Sequence, residues 1–232
     1  MDRTIRVFGG GAAQGLVETV RPSFEAATGF TIEGSFSAVG AMRARILAGE
    51  PADVAILTHA LIAELARDGH VAAASAADVG RVDTAVAVRQ GDAPPPLGDA
   101  ARLRAALLAA DAIHFPDPQQ ATAGIHFARV LHDLGIWDSI TDQLRPAANG
   151  ATAMRELAAS TSRNPIGCTQ ATEILATPGI VLAGPLPEGC ALVTVYTAAI
   201  GARSLAPTEA ARLVGLLTDT AGRQARRRLG FV

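Results

Sequence analysis

The clearest structural signal in the sequence is the stretch Ile5-Arg6-Val7-Phe8-Gly9-Gly10-Gly11-Ala12-Ala13-Gln14-Gly15, followed by Leu16-Val17-Glu18-Thr19-Val20. Its first four residues predict a short buried strand, and its last segment opens an amphipathic helix. Glycine lets the backbone turn sharply and lets a ligand approach bare N–H groups. The first N–H groups of a helix lack a partner within it, and the helix dipole adds partial positive charge there. The stretch therefore predicts an anion site, with a plain tight turn as the alternative.

Composition limits the classes of function. The chain has 232 residues, of which 49% are hydrophobic and 18% charged, so one large or two small domains with a sizeable core are expected. A net charge of −2 gives no case for binding nucleic acid or an anionic membrane. All 20 basic residues are arginine. A bound anion must therefore be held by arginine, histidine, hydroxyl groups or backbone, and lysine Schiff-base chemistry is excluded.

The sequence contains no motif for binding a metal or a cofactor. Three consecutive glycines do not fit the dinucleotide fingerprint, and no histidine or carboxylate cluster has metal-ligand spacing, so we predict no cofactor and no metal. Two cysteines, Cys168 and Cys190, favour packed free thiols over one bridge. No apolar run of 18 residues predicts a membrane span. We expect a cytoplasmic protein if Met1 is the native start, and a periplasmic one if a signal peptide was removed.

Further strand-to-helix turns follow the first one. Residues 30–36 and 52–59 predict two more strands, and in open parallel sheets ligands sit outside the carboxyl ends of the strands. Strands alternate with helices along the remaining chain, which predicts the α/β class. Four helix starts are therefore expected to offer backbone N–H groups: Gly11-Ala12, Val39-Gly40, Ala123-Gly124 and Gly150-Ala151. The apolar periodicity of the last three helices begins a little later, at residue 41, about residue 125 and residue 153.

A series of landmarks covers nearly the whole chain: Val7-Phe8-Gly9-Gly10-Gly11-Ala12, Phe24-Glu25-Ala26-Ala27-Thr28-Gly29, Ser35-Phe36-Ser37-Ala38-Val39-Gly40-Ala41, Gly49-Glu50-Pro51-Ala52-Asp53-Val54, Leu134-Gly135-Ile136-Trp137-Asp138, Pro185-Leu186-Pro187-Glu188 and Leu229-Gly230-Phe231. In order and spacing it resembles the molybdate-binding branch of the periplasmic-binding-protein superfamily, type 2 fold. The resemblance implies two α/β lobes, residues 1–83 with 192–232 and residues 84–191, with a ligand cleft between the lobes and hinge closure.

The ligand of that branch does not carry over directly. Molybdate binders of this kind use two serines where this chain has Ala12 and either Ala38 or Val39, and a tyrosine that falls near Cys168-Thr169. Each buried acceptor left unpaired costs about 1–3 kcal/mol. Molybdate or tungstate binding for ABC transport is therefore the least favoured function.

The remaining donors are spread over several turns, which suits the carboxylates of a small organic acid. Arg43 and Arg155 could clamp a carboxylate, or lie on the surface. His59 and His126 are the candidate catalytic residues, each with a structural role as its alternative. The candidate ligand-binding residues are Gly10, Gly11, Ala12, Gln14, Ser37, Ala38, Val39, Gly40, Arg43, Thr58, Thr122, Ala123, Gly124, Gly150, Thr152, Arg155, Thr169 and Gln170.

Two functions fit these residues. The first is a solute-binding protein that holds a small organic (poly)carboxylate without chemistry, with an ABC permease as partner if it is exported. The second is an isomerase, because some proteins similar to this branch isomerise small unsaturated tricarboxylates such as aconitate. Shifting a double bond needs a proton removed and returned, which a positioned histidine can do. The sequence favours the binder narrowly and leaves catalysis open.

Overall fold

The computed structural model describes residues 3–232, so Met1 and Asp2, the first residues of the expected N-terminus, lie outside it. The chain divides into two compact units, which we call unit 1 and unit 2. Unit 1 ends at Arg81 and resumes with Val195–Val232, and unit 2 is Val82–Thr194. The corresponding boundaries expected from the sequence lie at residues 83 and 192. Within residues 3–232, no helix is long and apolar enough to cross a membrane.

Strands and helices alternate along most of the chain, as the α/β class requires. In chain order the elements are β1 (Thr4–Gly10), α1 (Gln14–Thr28), β2 (Thr31–Ser37), α2 (Val39–Leu47), β3 (Val54–Thr58), α3 (His59–Arg67), β4 (Ala77–Arg89), α4 (Ala100–Leu108), β5 (Ala112–Pro116), α5 (Thr122–Asp133), β6 (Leu144–Ala147), α6 (Gly150–Ala159), β7 (Pro165–Gln170), α7 (Ala171–Leu175), β8 (Ile180–Pro185), β9 (Val193–Ile200), α8 (Pro207–Thr218) and α9 (Arg223–Arg228).

The sheet of unit 1 brings three strand ends to one edge. Strand β1 pairs in parallel with β2, with Gly10 opposite Ser37, and in parallel with β3. Strand β9 runs antiparallel to β3, with Tyr196 opposite Thr58. The carboxyl ends of β1, β2 and β3 therefore lie together, each followed by a helix start. Buried aliphatic residues on both faces explain why β3 reads as a continuous apolar run.

The sheet of unit 2 is mixed. Strand β5 pairs in parallel with β6 and β7, and β4 pairs antiparallel with β7 and β8. Its core includes Phe115 of β5 and Phe127 of α5, whose rings meet edge to face with centroids 5.5 Å apart. Both cysteines are buried free thiols. The thiol of Cys168 has its pKa raised by burial, which makes it a packing residue.

Several helices begin earlier than their apolar periodicity predicts. Helix α2 begins at Val39, α5 at Thr122 and α6 at Gly150, where periodicity placed the first helical residues at 41, about 125 and 153. The first turns consist of small or polar residues that carry no periodic signal. The turn residues singled out as ligand groups are therefore the first residues of helices.

Candidate functional site

Two helix starts in unit 1 present bare backbone donors. A turn of 3-10 helix at Gly11–Ala13 leads into α1, and its N-cap is Gly10; the N-cap of α2 is Ala38. In the described part of unit 1, no side chain caps either start. The first N–H groups of such helices need an acceptor from solvent or from a ligand. These starts follow β1 and β2, so the structure brings the predicted residues of the first two turns to one edge.

The absence of a side chain at Gly10 lets these two helix starts lie close together. A Cβ on Gly10 would lie 2.7 Å from Cγ1 of Val39 and 3.0 Å from the ring of Tyr196. Only glycine leaves room for this approach. The exposed amide of Gln14 stands on the first residue of α1, and Ser37, at the end of β2, is half-buried. The edge therefore combines backbone N–H groups with two uncharged polar side chains.

The third strand end carries a histidine with a carboxylate partner. His59 is the first residue of α3, and its Nδ1 lies 3.2 Å from Oδ1 of Asp78. Thr197 Oγ1 donates a 2.6 Å hydrogen bond to the same oxygen and lies 3.3 Å from Nδ1 of His59. When Nδ1 carries the proton and donates a hydrogen bond to Asp78, the lone pair of Nε2 is left for a substrate proton. About two-thirds of the His59 side chain is exposed.

Two predicted ligand residues of unit 1 have structural partners. The Thr58 hydroxyl accepts from the N–H of Leu61 at 3.4 Å, so it is the N-cap of α3. The guanidinium of Arg43 lies 3.3 Å from the Glu64 carboxylate, which ties α2 to α3. The carboxylate that Arg43 contacts in the structure is therefore that of Glu64 on the neighbouring helix, and a role of Arg43 as a ligand clamp stays a prediction.

The α5 start in unit 2 is also without a side-chain cap. Its N-cap is Ala121, and in the described chain no side chain accepts from its first turn. A Cβ on Gly124 would lie 2.2 Å from the carbonyl oxygen of Asp117 and 2.3 Å from that of Pro116. The chain leaving β5 thus folds back onto the first turn of α5, which only glycine permits. Ala123 is buried beside it, and Thr122 is half-buried.

The histidine of the same helix has a structural contact. Nε2 of His126 lies 2.8 Å from the carbonyl oxygen of Cys190, so it joins α5 to the segment before β9. If this nitrogen carries the proton, the ring is held as a donor to the backbone. His59, with a carboxylate partner and an exposed ring, is the better candidate for a base.

The α6 start is filled by the protein's own acceptors. The side chain of Asn149 accepts from the N–H of Thr152 at 2.9 Å. The buried carboxyl of Glu173 accepts a 2.5 Å hydrogen bond from Thr169 Oγ1, and a Cβ on Gly150 would lie 1.9 Å from Oε2 of Glu173. Burial raises the pKa of Glu173 to about 7, against the lowering effect of hydrogen bonds from Thr169 and from the backbone of Gln170 and Ala151.

Two predicted ligand residues, Thr169 and Gln170, have hydrogen-bond partners within unit 2. Thr169 is fully buried, and its hydroxyl is bound to Glu173. Gln170 is also buried, and its Nε2 donates to Oγ1 of Thr194 at 3.3 Å. Arg155 donates to Oγ1 of Thr152 at 2.9 Å, so this exposed side chain turns back along α6 towards its start.

Asp78 and Thr197 are not predicted from the sequence, whereas Glu173 is a candidate base there, with a surface helix acid as the favoured alternative. The first two meet His59 only through pairings that span 19 and 138 residues, for which no local pattern exists. Glu173 lies four residues after Thr169, a spacing visible in the sequence that fits a surface acid equally well. No group of three or more His, Cys, Asp or Glu suited to a metal ion occurs among residues 3–232.

Two clefts in unit 1 lie away from the uncapped helix starts. A cleft of about 460 Å³ is lined by Glu50 and His70, and another of about 750 Å³ by Arg6 and Asp53. Both adjoin segments that precede β3, so they lie at the amino end of that strand. The uncapped helix starts of unit 1 lie at the carboxyl ends of β1 and β2, which is where open parallel sheets bind ligands.

Known proteins are similar to this chain over most of its length. The model of the family described as bacterial extracellular solute-binding protein matches residues 5–232. The chain belongs to this family. The solute-binding protein is 29% identical over 225 residues to an aconitate isomerase from a Pseudomonas species, which covers 93% of this chain and 82% of that protein.

Two molybdate-binding proteins are also similar to this solute-binding protein. That of Escherichia coli K12 is 24% identical over 200 residues, covering 84% of this chain and 76% of that protein. The periplasmic molybdate-binding protein of Azotobacter vinelandii superimposes with a TM-score of 0.79 at 19% identity and covers 98% of each chain. These matches confirm the predicted resemblance and the α/β, two-lobed periplasmic-binding-protein fold.

Proposed function

We propose that this solute-binding protein binds small organic polycarboxylates through the backbone N–H groups of uncapped helix starts, which are those of α1 and α2 in unit 1 and, taken separately, that of α5 in unit 2. The observation that carries the proposal is the absence, within the described residues, of side-chain caps at these starts. Each start offers partial positive charge and free donors, which is the environment that a carboxylate prefers. A molecule with several carboxylates can use the α1 and α2 starts of unit 1 at once.

The side chains at these starts favour carboxylates over inorganic oxyanions. Ala12, Ala38 and Ala123 supply no hydroxyl, so a compact tetrahedral dianion would find few donors in the volume it fills. Carboxylates carried on a flexible chain can reach donors that lie further apart. The similarity to an aconitate isomerase, whose name denotes a tricarboxylate, supports the same class of ligand.

A calorimetric ligand panel tests the proposal. It contains citrate, cis-aconitate, trans-aconitate and simple dicarboxylates, with molybdate, tungstate, sulfate and phosphate as the competing class. A ligand at 100 times its Kd adds about 2.7 kcal/mol to the stability of the folded state, so thermal shifts provide an independent check. We expect at least one polycarboxylate to bind. Binding by inorganic oxyanions alone would refute the proposal.

A matched pair of variants shows whether the α1 start takes part. Gln14→Glu adds a negative charge at the first residue of α1. This charge interacts favourably with the helix dipole but repels a bound carboxylate. Gln224→Glu makes the same change at an exposed residue of α9. We expect Gln14→Glu to weaken polycarboxylate binding several-fold and Gln224→Glu to leave it unchanged. Equal affinities for both variants would remove α1 from the site.

The contacts of His59 support a second candidate function, isomerisation of an unsaturated polycarboxylate. The lone pair of His59 Nε2 would take a proton from a CH2 group next to the double bond. The electron pair of the broken C–H bond shifts the double bond, and His59 returns the proton to the far carbon, so no co-reactant is consumed. Asp78 would stabilise the imidazolium formed between the two steps.

Proton NMR of aconitate in D2O tests this second function. Conversion between the cis and trans isomers with deuterium incorporation would establish the isomerase, and His59→Gln should then lower kcat about 100-fold or more. Asp78→Asn should lower kcat while leaving KM nearly unchanged. Tight binding without conversion would leave the binder as the function.

The family description also bears on location and partner. Its members are described as extracellular solute-binding proteins, and for the binding function we propose a periplasmic location and an ABC permease as partner. Fractionation of native cells, with an antibody against the purified chain, measures the location directly. A purely cytoplasmic protein would contradict a role in uptake.

A further inference from the structure

Glu173 places a carboxyl group where a ligand's carboxylate would otherwise bind. It is buried near the first residues of α6, with Thr169 Oγ1 at 2.5 Å and backbone hydrogen bonds from Gln170 and Ala151. The missing side chain of Gly150 makes the space, since a Cβ there would lie 1.9 Å from Oε2 of Glu173. The carboxyl group is therefore enclosed by the fold on several sides.

We propose that Glu173 is a specificity-determining residue: an internal carboxyl group that fills the α6 start and excludes inorganic tetraoxyanions from it. The inference rests on the proposed function, in which this chain binds a small anion at helix starts. The inference explains why the α6 start, one of the four helix starts predicted from the sequence, does not bind the ligand.

Three physical effects lead to this exclusion. Ala151 and Thr152 already give their N–H groups to Glu173 and Asn149, so an incoming oxyanion finds neither donor free. The carboxyl group fills the space beside Gly150. When ionised, it also repels a second anion, and the low dielectric of a buried position strengthens that repulsion.

The consequence differs for the two classes of anion. A tetraoxyanion concentrates its charge in a small volume and needs many donors at one place, so it loses most when a helix start is withheld. A polycarboxylate distributes its charge over separate groups and can bind at helix starts that Glu173 does not fill. Glu173 therefore shifts selectivity towards the extended ligand.

Isothermal titration calorimetry on three variants tests the role of Glu173. Glu173→Ala removes both the charge and the occupying group, whereas Glu173→Gln removes the charge and keeps a similar shape. Glu188→Gln makes the same charge change at an exposed residue and is the control. The probes are sulfate and molybdate on one side, and citrate and trans-aconitate on the other.

We expect Glu173→Ala to bind sulfate or molybdate at least tenfold more tightly than wild type, with a smaller gain for Glu173→Gln. Affinity for the polycarboxylates should change less than threefold, and Glu188→Gln should match wild type throughout. Should Glu173→Ala fail to fold, judged by circular dichroism, a tetraoxyanion gain in Glu173→Gln over Glu188→Gln still supports the inference, and its absence refutes it.

Two other results would overturn the inference. One is micromolar binding of sulfate or molybdate by the wild type, and the other is a folded Glu173→Ala variant with wild-type affinity for both. Failure of the proposed function is a separate result, namely no polycarboxylate binding by wild type. The tetraoxyanion comparison keeps its meaning in that case, because it does not use the polycarboxylate data.

Discussion

Helices α5 and α6 of unit 2 begin in the same manner and end up with opposite chemistry. Each follows a strand of one parallel pair, β5 or β6, and each has a buried glycine in its first turn. Gly124 of α5 lies against backbone carbonyl oxygens, whereas Gly150 of α6 lies against the Glu173 carboxyl. The α5 start has no side-chain cap in the described chain, and the α6 start has Asn149 and Glu173.

A helix start can bind a ligand only where the protein itself supplies no acceptor for the first N–H groups of the helix. Both starts carry the same dipole and the same kind of backbone donor. At α6 those donors are satisfied within the fold, which stabilises the unliganded protein. At α5 the described chain supplies no side-chain acceptor for them. We therefore expect part of the stability of the folded state to depend on a bound anion.

The largest expected effect comes from Gly124→Ala. Its Cβ would lie 2.2 Å and 2.3 Å from two backbone oxygens, and the main chain can move away only by disturbing the turn after β5. We expect a loss of about 3 kcal/mol, or roughly 6–12 °C in Tm, measured by calorimetric unfolding. Gly150→Ala should also cost stability, because its Cβ would displace the buried carboxyl group of Glu173 from its hydrogen bond with Thr169.

The control for both substitutions is Gly215→Ala in α8. Nothing lies within 4 Å of the Cβ that this change would add, and alanine is favoured over glycine inside a helix by about 0.5–1 kcal/mol. Its Tm should therefore rise slightly. A Gly124→Ala protein as stable as wild type would show that the turn after β5 does not require glycine.

The next effect concerns the charge of Glu173 and its dependence on pH. Burial raises the pKa of this group to about 7 in the folded protein from an ordinary value of 4.5. The folded state therefore holds a proton that the unfolded state has released, and stability falls as pH rises from about 4.5 to about 7. Above that range both states are ionised, and the loss is complete.

Thermal unfolding of wild type and Glu173→Gln between pH 5 and pH 8 isolates this contribution. Glutamine cannot ionise, so the Tm of wild type minus that of the variant should decrease by a few degrees over this range and then level off. Other titrating groups are common to both proteins and cancel in the difference. A difference that stays constant from pH 5 to pH 8 would mean that the folded pKa of Glu173 is not raised above its ordinary value.

The sequence predicts the open helix starts better than the filled one. Glycine and alanine after a strand indicate a turn and a helix start, and the pairing of Gly10 with Ser37 then follows from a parallel sheet. The partner of a helix start is a long-range property. Glu173 reaches Gly150 only after β7 is placed beside β5, and Asp78 reaches His59 through the early beginning of β4. No local periodicity encodes either contact.

The smallest effects exchange the capping chemistry of the two starts. Asn149→Ala removes the acceptor for the N–H of Thr152 and should cost about 1 kcal/mol, or 2–4 °C in Tm. Ala121→Ser adds an acceptor at the α5 start, where the extended backbone of Ala121 already suits an N-cap. It should therefore raise the Tm of the unliganded protein by a similar or smaller amount.

The response of Ala121→Ser to ligand gives the sharper test. A serine that satisfies the first turn of α5 competes with a bound carboxylate, so the variant should be more stable alone and bind polycarboxylate several-fold more weakly, as titration calorimetry would show. Asn149→Ala should lose stability without losing affinity, since α6 is withheld from the ligand. If Ala121→Ser bound as tightly as wild type and Asn149→Ala did not, the roles of the two helix starts would be reversed.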